Sequence, residues 1–369
     1  MKTEEHLSRE LDTLRNRIDS VDKKIIKLIE ERCEIVLKIG NIKKNLNLDV
    51  YQPHREIKVI DQLSNIADNL DKENIKAIWT EIMSVSKRLQ GSIEKIGYLG
   101  PEGTFTHQAA LEFFPKSSSD LIACRSIIEI FEEIEKNQLD FGVIPIENSL
   151  QGTVRETLDL LIEKDIKIYG ELELRIHQNL ISIPTANLST INRIYSHPQA
   201  FAQARSWIKM NLPHAKLINM NSTADAVKHV ANSKSIEEAA LGTKHSSELN
   251  KLNIISANIE DNPSNYTRFL IISKKENPIQ EGKNKTSIVY VTKHKPGALY
   301  NVLQLFAEAN INLLKIESRP RRKGRWEYIF LMDFQGKYDD INVQEVLDKM
   351  EENVIWYKLL GSYPFSNEL

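Results

Sequence analysis

Residues 7–42 read LSRELDTLRNRIDSVDKKIIKLIEERCEIVLKIGNI. Leu7, Leu11, Leu14, Ile18, Val21, Ile25, Leu28, Arg32, Ile35, Ile39 and Ile42 follow one another at alternating steps of four and three, the rhythm of a long packed helix. All of these positions are aliphatic except Arg32. A charge in an apolar seam is costly without a partner, so Arg32 is expected to be paired or to meet an anionic ligand. Arg15, Lys43 and Arg55 add three cations to the same region. Residues 1–91 therefore read as a helical scaffold built around an anion.

The helix predicted over 7–45 would be roughly 57 Å long and must pack on something equally long. The stretch Leu46–Gln52 breaks it, and Pro53 suits the first turn of a second helix striped with Ile57, Ile60, Leu63 and Ile66. A third helix is predicted from Asn74 to Gln90, with Ile75, Ile78, Trp79, Ile82 and Met83 inward. Two shorter helices cannot cover the first, so an interlocked homodimer is the economical solution. Arg32 and Lys43 lie about three turns and roughly 16 Å apart at nearly the same azimuth, so their arms can converge on one small ligand. Arg15 lies roughly 25 Å from Arg32 and about 100° round the helix, and reaches the same ligand only across an antiparallel partner. The alternative for each cation is a solvated place on an amphipathic helix.

At about 150 residues per domain, 369 residues allow two or three domains. A net charge of −2 makes no electrostatic case for nucleic acid or a membrane surface. Two distant cysteines, Cys33 and Cys124, argue against a disulfide framework or a cysteine metal site. No apolar run reaches the ~18 residues of a membrane span and no apolar leader core occurs, so a cytoplasmic location is expected.

Past Gly91-Ser92 the rhythm changes. Short apolar runs at 93–99, 121–124, 141–147, 166–169, 191–196, 216–220, 239–242 and 267–273 alternate with helical patterns. This predicts an α/β region with ligand-binding loops at strand ends. Residues 274–285 (KKENPIQEGKNK) read as a linker. From Thr286 to Leu369 the predicted order is βαββαβ, a ferredoxin-like α+β domain. Four polar clusters fall at strand ends: GPEGTFTH at 100–107, PIENS at 145–149 with Gly152 and Thr153, SHPQ at 196–199 with Gln203, and NYTRF at 265–269. The first ends at a helix start, whose free N–H groups favour an anion. Singly, each also reads as a turn, a helix cap or a strand start. No G-x-S-x-G elbow supports a Ser-His-Asp hydrolase, and GxxGT lacks the lysine of a nucleotide-binding loop.

L-R-x-x-I-D-x-x-D at Leu14–Asp22, E-R at 31–32, I-G-x-x-K at 39–43, Y-x-P-x-R-E at 51–56 and S-x-x-x-Q at 86–90 together resemble the all-helical chorismate mutase family, over the whole first domain. The resemblance implies that Arg32, and Arg15 from a partner chain, hold the two carboxylates of chorismate. It implies that Lys43 and Gln90 contact the ether oxygen, and that Glu56 binds the ring hydroxyl, with Arg55 and Ser86 assisting. Gln52 stands where the family usually has an acid; its amide oxygen accepts a hydrogen bond without the charge. The rearrangement to prephenate is pericyclic. It needs no nucleophile or metal, only donors that hold a compact conformer and meet the charge developing on the ether oxygen.

Residues 96–273, NYTRF and SHPQAF above all, resemble prephenate dehydratase. The resemblance implies two α/β lobes of the periplasmic-binding-protein kind with the site in their cleft. It implies Thr267 as the catalytic residue, Asn148, Ser196 and Gln203 as substrate contacts, and Arg268, Thr104 and Thr153 as further ones. Prephenate loses its ring hydroxyl as water and its ring carboxylate as CO₂ to give phenylpyruvate. The enzyme must help the hydroxyl leave without over-stabilising the carboxylate that disappears, which suits neutral Thr, Asn and Gln donors. The proton donor is open between Glu147 and His107.

K-P-G-A-L at Lys295–Leu299 and I-E-S-R-P at Ile316–Pro320 resemble the ACT regulatory domain. The resemblance implies phenylalanine as feedback inhibitor, held by Gly297, Ala298, Leu299, Glu317, Ser318, Arg319 and Pro320. Gly297 lets a helix start approach an amino-acid carboxylate. The basic turn Arg319–Arg325 lacks interleaved aromatics and reads as a solvated hairpin, not a nucleic-acid site. The expected domains are 1–91, 94–273 and 286–369. The expected enzyme takes chorismate through prephenate to phenylpyruvate, uses no metal or organic cofactor, and is a homodimer or a higher homo-oligomer. Two rivals are a dehydratase whose helical domain only dimerises, and a non-catalytic amino-acid sensor.

Overall fold

The computed structural model describes residues 2–45, 53–91, 93–114, 118–278, 283–320 and 328–365. The chain forms two compact units, residues 1–93 with 115–119, and residues 94–114 with 120–369.

The first unit is helical, with α1 (Lys2–Asn45), α2 (Pro53–Ser64) and α3 (Lys72–Leu89). Asp71 caps α3 by accepting from the Asn74 N–H at 2.7 Å, and Gly91 follows it with φ +79°. Ile75 and Met83 of α3 are buried as expected, whereas Ile78 is exposed. Within one chain the α1 seam is bare: Leu7, Ile18, Leu28 and Ile42 are each more than half exposed. A contiguous aliphatic stripe of this kind marks an interaction surface.

The second unit holds three sheets. The first contains β1 (Glu94–Leu99), β2 (Ser119–Cys124), β3 (Phe141–Asn148), β5 (Lys167–Arg175) and β11 (Tyr266–Ser273) in the order β2-β1-β3-β11-β5, with the two-residue β4 (Gly152–Thr153) beside β3. β1 runs parallel to β3, and β11 runs antiparallel between β3 and β5. Helices α4 (Phe105–Phe113), α5 (Ile127–Glu135) and α6 (Arg155–Glu163) flank it, and Ile130, Phe131, Leu158 and Leu161 fill its core. The second sheet contains β6 (Asn179–Ser182), β7 (Arg193–Ser196), β8 (Lys216–Asn219), β9 (Glu238–Gly242) and β10 (Asn253–Ser256), ordered β10-β6-β9-β7-β8. Its helices are α7 (Pro198–Gln203), α8 (Arg205–Asn211), α9 (Thr223–Ser233) and α10 (Lys244–Leu249). The chain passes between these lobes twice, from β5 to β6 and from β10 to β11. A cleft lies at the crossing, as in other two-lobed α/β proteins.

The third sheet, β12 (Asn284–Thr292), β13 (Leu313–Pro320), β14 (Tyr328–Gln335) and β15 (Val354–Pro364), has the ferredoxin-like order β13-β14-β12-β15, with α11 (Ala298–Glu308) and α12 (Ile341–Glu351) in the sequence. Tyr290, Phe306, Met332 and Met350 pack on one side of it, while Val289, Leu331, Leu360 and Tyr363 join the core of the first lobe. The expected linker is shorter than its composition suggests. β12 begins at Asn284 because pairing with β14 and β15 recruits Asn284 and Lys285. Cys33 and Cys124 are free thiols, and no described helix is long and apolar enough to cross a membrane.

Candidate functional site

In the helical unit the seam charge finds its partner on α3. Arg32 Nη1 donates to Ser86 Oγ at 2.5 Å, and Ser86 donates to the Ile82 carbonyl at 2.8 Å. Gln90, at the C-cap of α3, donates through Nε2 to the Val36 carbonyl at 2.9 Å, while its buried Oε1 has no partner among the described residues. Gly40 makes this possible: a Cβ there would lie 2.9 Å from Gln90 Cγ. Lys43 is half-buried one turn further along α1. Arg32, Ser86, Gln90 and Lys43 thus share the region where α1 meets α3. Arg15 stands apart, 66% exposed and 3.4 Å from Asp12. Gln52 lies outside the described residues, as do the side chains of Arg55 and Glu56.

In the second unit a cleft of about 320 Å³, a size suited to a small molecule, opens where the two lobes meet. The first lobe lines it with Leu99, Thr104–Thr106, Pro145, Asn148, Thr267 and Phe269. The second lobe adds His197, Gln199, Gln203 and Asn221–Thr223, and the crossover adds Ile176 and Gln178. Among the described residues no lysine, arginine, aspartate or glutamate lines it, and His197 is the titratable side chain of that lining. His197 Nδ1 accepts from the Gln199 N–H at 3.2 Å, so the neutral ring carries its proton on Nε2.

The strand register explains the polar centre. Thr267 on β11 pairs with Asn148 on β3, and Asn148 Nδ2 donates to Thr267 Oγ1 at 2.9 Å. Having accepted, the Thr267 hydroxyl is free to donate its own proton into the cleft. Asn148 is otherwise committed to protein: Nδ2 also lies 2.8 Å from Asn265 Oδ1, and Oδ1 accepts from the Leu150 and Gln151 N–H groups. Thr104 caps α4 and donates to the Leu99 carbonyl at 3.0 Å. Gln203 accepts through Oε1 from Gln178 Nε2 at 3.0 Å.

The adjoining residues face the other way, because successive strand side chains alternate. Arg268 lies 3.2 Å from Asp333 and 3.7 Å from Glu171, and Lys285 lies 2.5 Å from Glu171. Burial opposes the Arg268 charge, but the nearby anions, Asp333 foremost, outweigh it and raise the guanidinium pKa above its usual range. Glu147 meets Lys315 at 2.6 Å, and Thr153 donates to Glu317 at 2.5 Å. Ser196 is fully buried and donates to the Leu241 carbonyl at 3.1 Å. Arg268, Thr153 and Ser196, expected at the substrate, therefore lie outside the cleft lining. So do both expected proton donors. Glu147 is on Lys315, and His107 is buried, stacked on Tyr98 at 4.6 Å with Nδ1 accepting from the Gly103 N–H. Burial, with the charges of Glu102 and Cys124 adding, pushes the Tyr98 phenol up to about 12. Gln178 belongs to no recognisable motif, and only the fold brings it to the cleft.

In the third sheet, Gly297, Ala298 and Leu299 line a pocket of about 400 Å³ with Lys293, Tyr328 and Phe330. Gly297 has φ +79°, a backbone that glycine adopts freely. The other expected effector residues are elsewhere. Glu317 faces Thr153, Arg319 pairs with Asp159 at 2.7 Å, and Ser318 and Pro320 are exposed.

Family models match in order along the chain: chorismate mutase type II over residues 14–91, prephenate dehydratase over 96–277 and the ACT domain over 286–352. A bifunctional chorismate mutase/prephenate dehydratase of Aquifex aeolicus is 38% identical over 360 residues, covering 96% of this chain and 98% of the relative. One from Pseudomonas aeruginosa is 39% identical over 363 residues, with the same coverage, 96% and 98%. A solved prephenate dehydratase from Arthrobacter aurescens, in complex with L-Phe, is 32% identical, covers 74% of this chain and 91% of its own, and superposes with a TM-score of 0.67. With all three models in order and such relatives aligned over nearly its full length, the chain belongs to the bifunctional chorismate mutase/prephenate dehydratase family.

Proposed function

We propose that the helical unit rearranges chorismate to prephenate and that the two-lobed cleft converts prephenate to phenylpyruvate, under feedback by phenylalanine at the ACT domain. The functional division is 1–91, 94–273 and 286–369. The observation that carries the dehydratase reading is the cleft itself: its described lining is apolar side chains and uncharged Thr, Asn and Gln groups, with Thr267 Oγ1 accepting from Asn148 and so left to donate its own proton. Such a donor assists a departing hydroxyl and leaves the ring carboxylate free to depart as CO₂. In the helical unit Arg32 takes one carboxylate of chorismate, Arg15 of a second copy takes the other, and Lys43 and the second N–H of Gln90 meet the ether oxygen. The bare α1 seam supports a homodimer as the smallest assembly. Phenylalanine sits at the pocket beside Gly297. The Thr153–Glu317 and Glu147–Lys315 contacts give that domain a direct hold on β3 and β4, next to Asn148. The enzyme acts in the cytoplasm, in keeping with two free thiols.

Incubation with chorismate tests the reading. Chorismate should vanish, phenylpyruvate should form, and added phenylalanine should slow its formation; intact chorismate refutes the mutase assignment. Mixing inactive Arg15→Ala and Arg32→Ala chains tests the shared site. Each mixed dimer rebuilds one complete site, so mutase activity should return; no recovery on subunit exchange places Arg15 and Arg32 in one chain's site or removes one of them from it.

A further inference from the structure

We propose that Gln178 accepts a hydrogen bond from the ring hydroxyl of prephenate and so recognises the group that leaves. Gln178 is only 2% exposed, yet it lines the cleft. Its backbone is held at both ends: the N–H donates to Glu260 Oε2 at 2.9 Å, and the carbonyl accepts from the Ile259 N–H at 2.8 Å. Its side chain is held too, because Nε2 donates to Gln203 Oε1 at 3.0 Å. What is left is one Nε2 hydrogen and Oε1, which is buried and has no partner among the described residues. A buried acceptor that makes no hydrogen bond costs free energy, and a fixed one calls for a donor.

The chemistry of prephenate supplies a single candidate. At neutral pH its two carboxylates and its ketone only accept, and the ring hydroxyl is its one O–H donor. Gln203, whose Oε1 is taken by Gln178, keeps its Nε2 hydrogens for an acceptor. The amide pair thus offers an acceptor and a donor together, which suits a hydroxyl. A hydroxyl that gives its hydrogen to Gln178 turns a lone pair to the Thr267 O–H in the same cleft. Keto phenylpyruvate has no such hydrogen to give, so the contact passes to the departing water and is lost when that water leaves.

The inference rests on prephenate being the substrate of this cleft, and the test separates the two. Wild type, Gln178→Met and Gln203→Met are assayed with prephenate. Their inhibition is then measured with a deoxy analogue that carries hydrogen in place of the ring hydroxyl. Gln178→Met should lower kcat/KM for prephenate about tenfold, the worth of one such hydrogen bond, while the analogue's inhibition constant stays within twofold. Gln203→Met, at a half-buried position, should show the same split and serves if Gln178→Met does not fold. Unchanged kcat/KM overturns the assignment. So does a parallel loss for substrate and analogue, which would mark a structural role or a contact to a carboxylate. No turnover by the wild type overturns the dehydratase reading itself.

Discussion

Replacing Gly40 by alanine separates packing from catalysis in the helical unit. Gly40 lies within α1, in its last turn and a half, where alanine should stabilise by up to about 1 kcal/mol. Its Cβ, however, would sit 2.9 Å from Gln90 Cγ and 3.2 Å from Cδ, closer than carbon atoms tolerate. Gln90 must turn away, and its 2.9 Å bond to the Val36 carbonyl is lost at a cost of about 0.5–1.5 kcal/mol. These terms nearly cancel, so unfolding stability should change by less than about 1 kcal/mol. Mutase turnover should not be spared. Displacing a donor from an oxygen that gains charge in the transition state costs about 10²–10³-fold in kcat. The assay is the loss of chorismate absorbance, beside denaturant unfolding and phenylpyruvate formation from added prephenate. Adding Gln90→Ala to Gly40→Ala should then cost little more, because both remove one interaction. Mutase kcat within twofold of wild type, at unchanged stability, refutes the role given to Gln90.

Arg268→Ala should cost about 3–5 kcal/mol, because it strands the buried Asp333 without its guanidinium; a loss below 1 kcal/mol in denaturant unfolding contradicts this. Gly361→Ala would set a Cβ against the Ile168 backbone carbonyl, which cannot move aside as a side chain would. Its unfolding midpoint should fall by the equivalent of about 1–3 kcal/mol or more. Glu238 is pulled up by burial, but the nearby Ser233 hydroxyl, the hydrogen bond from Tyr195 and the Arg193 charge prevail and lower its pKa below the ordinary 4.5. Its contribution to stability is therefore complete above about pH 4.5 and fades as pH falls through the lower native value. Glu238→Gln should flatten the acid side of the stability profile between those two values, and an unchanged slope counts against it.

The long helix was legible because one periodicity runs through α1 and no other element could explain it. The third sheet was legible as βαββαβ because each strand and helix there has ordinary length and clear punctuation. β6 and β10 were not anticipated, although β7 and β8, also of four residues, stand out within longer apolar runs at 191–196 and 216–220. NYTRF forms one block in the sequence, yet its strand splits it, with Thr267 toward the cleft and Arg268 toward Asp333. The same alternation separates Asn148 from Glu147. Period-two geometry was available from the sequence and could have divided both pairs. Gln178 was hidden for a different reason. It lies on a short crossover, where only the closing of two lobes around it gives a glutamine meaning.

The central claim is that one chain carries two chemistries at separate sites, one built on Arg32 and the other on Thr267. The direct measurement follows chorismate, prephenate and phenylpyruvate together in wild type, Arg32→Ala and Thr267→Ala. Arg32→Ala should leave chorismate unconsumed yet dehydrate supplied prephenate at the wild-type rate. Thr267→Ala should consume chorismate normally and accumulate prephenate. Mutase turnover that survives Arg32→Ala, or phenylpyruvate formed at full rate by Thr267→Ala, would contradict the account.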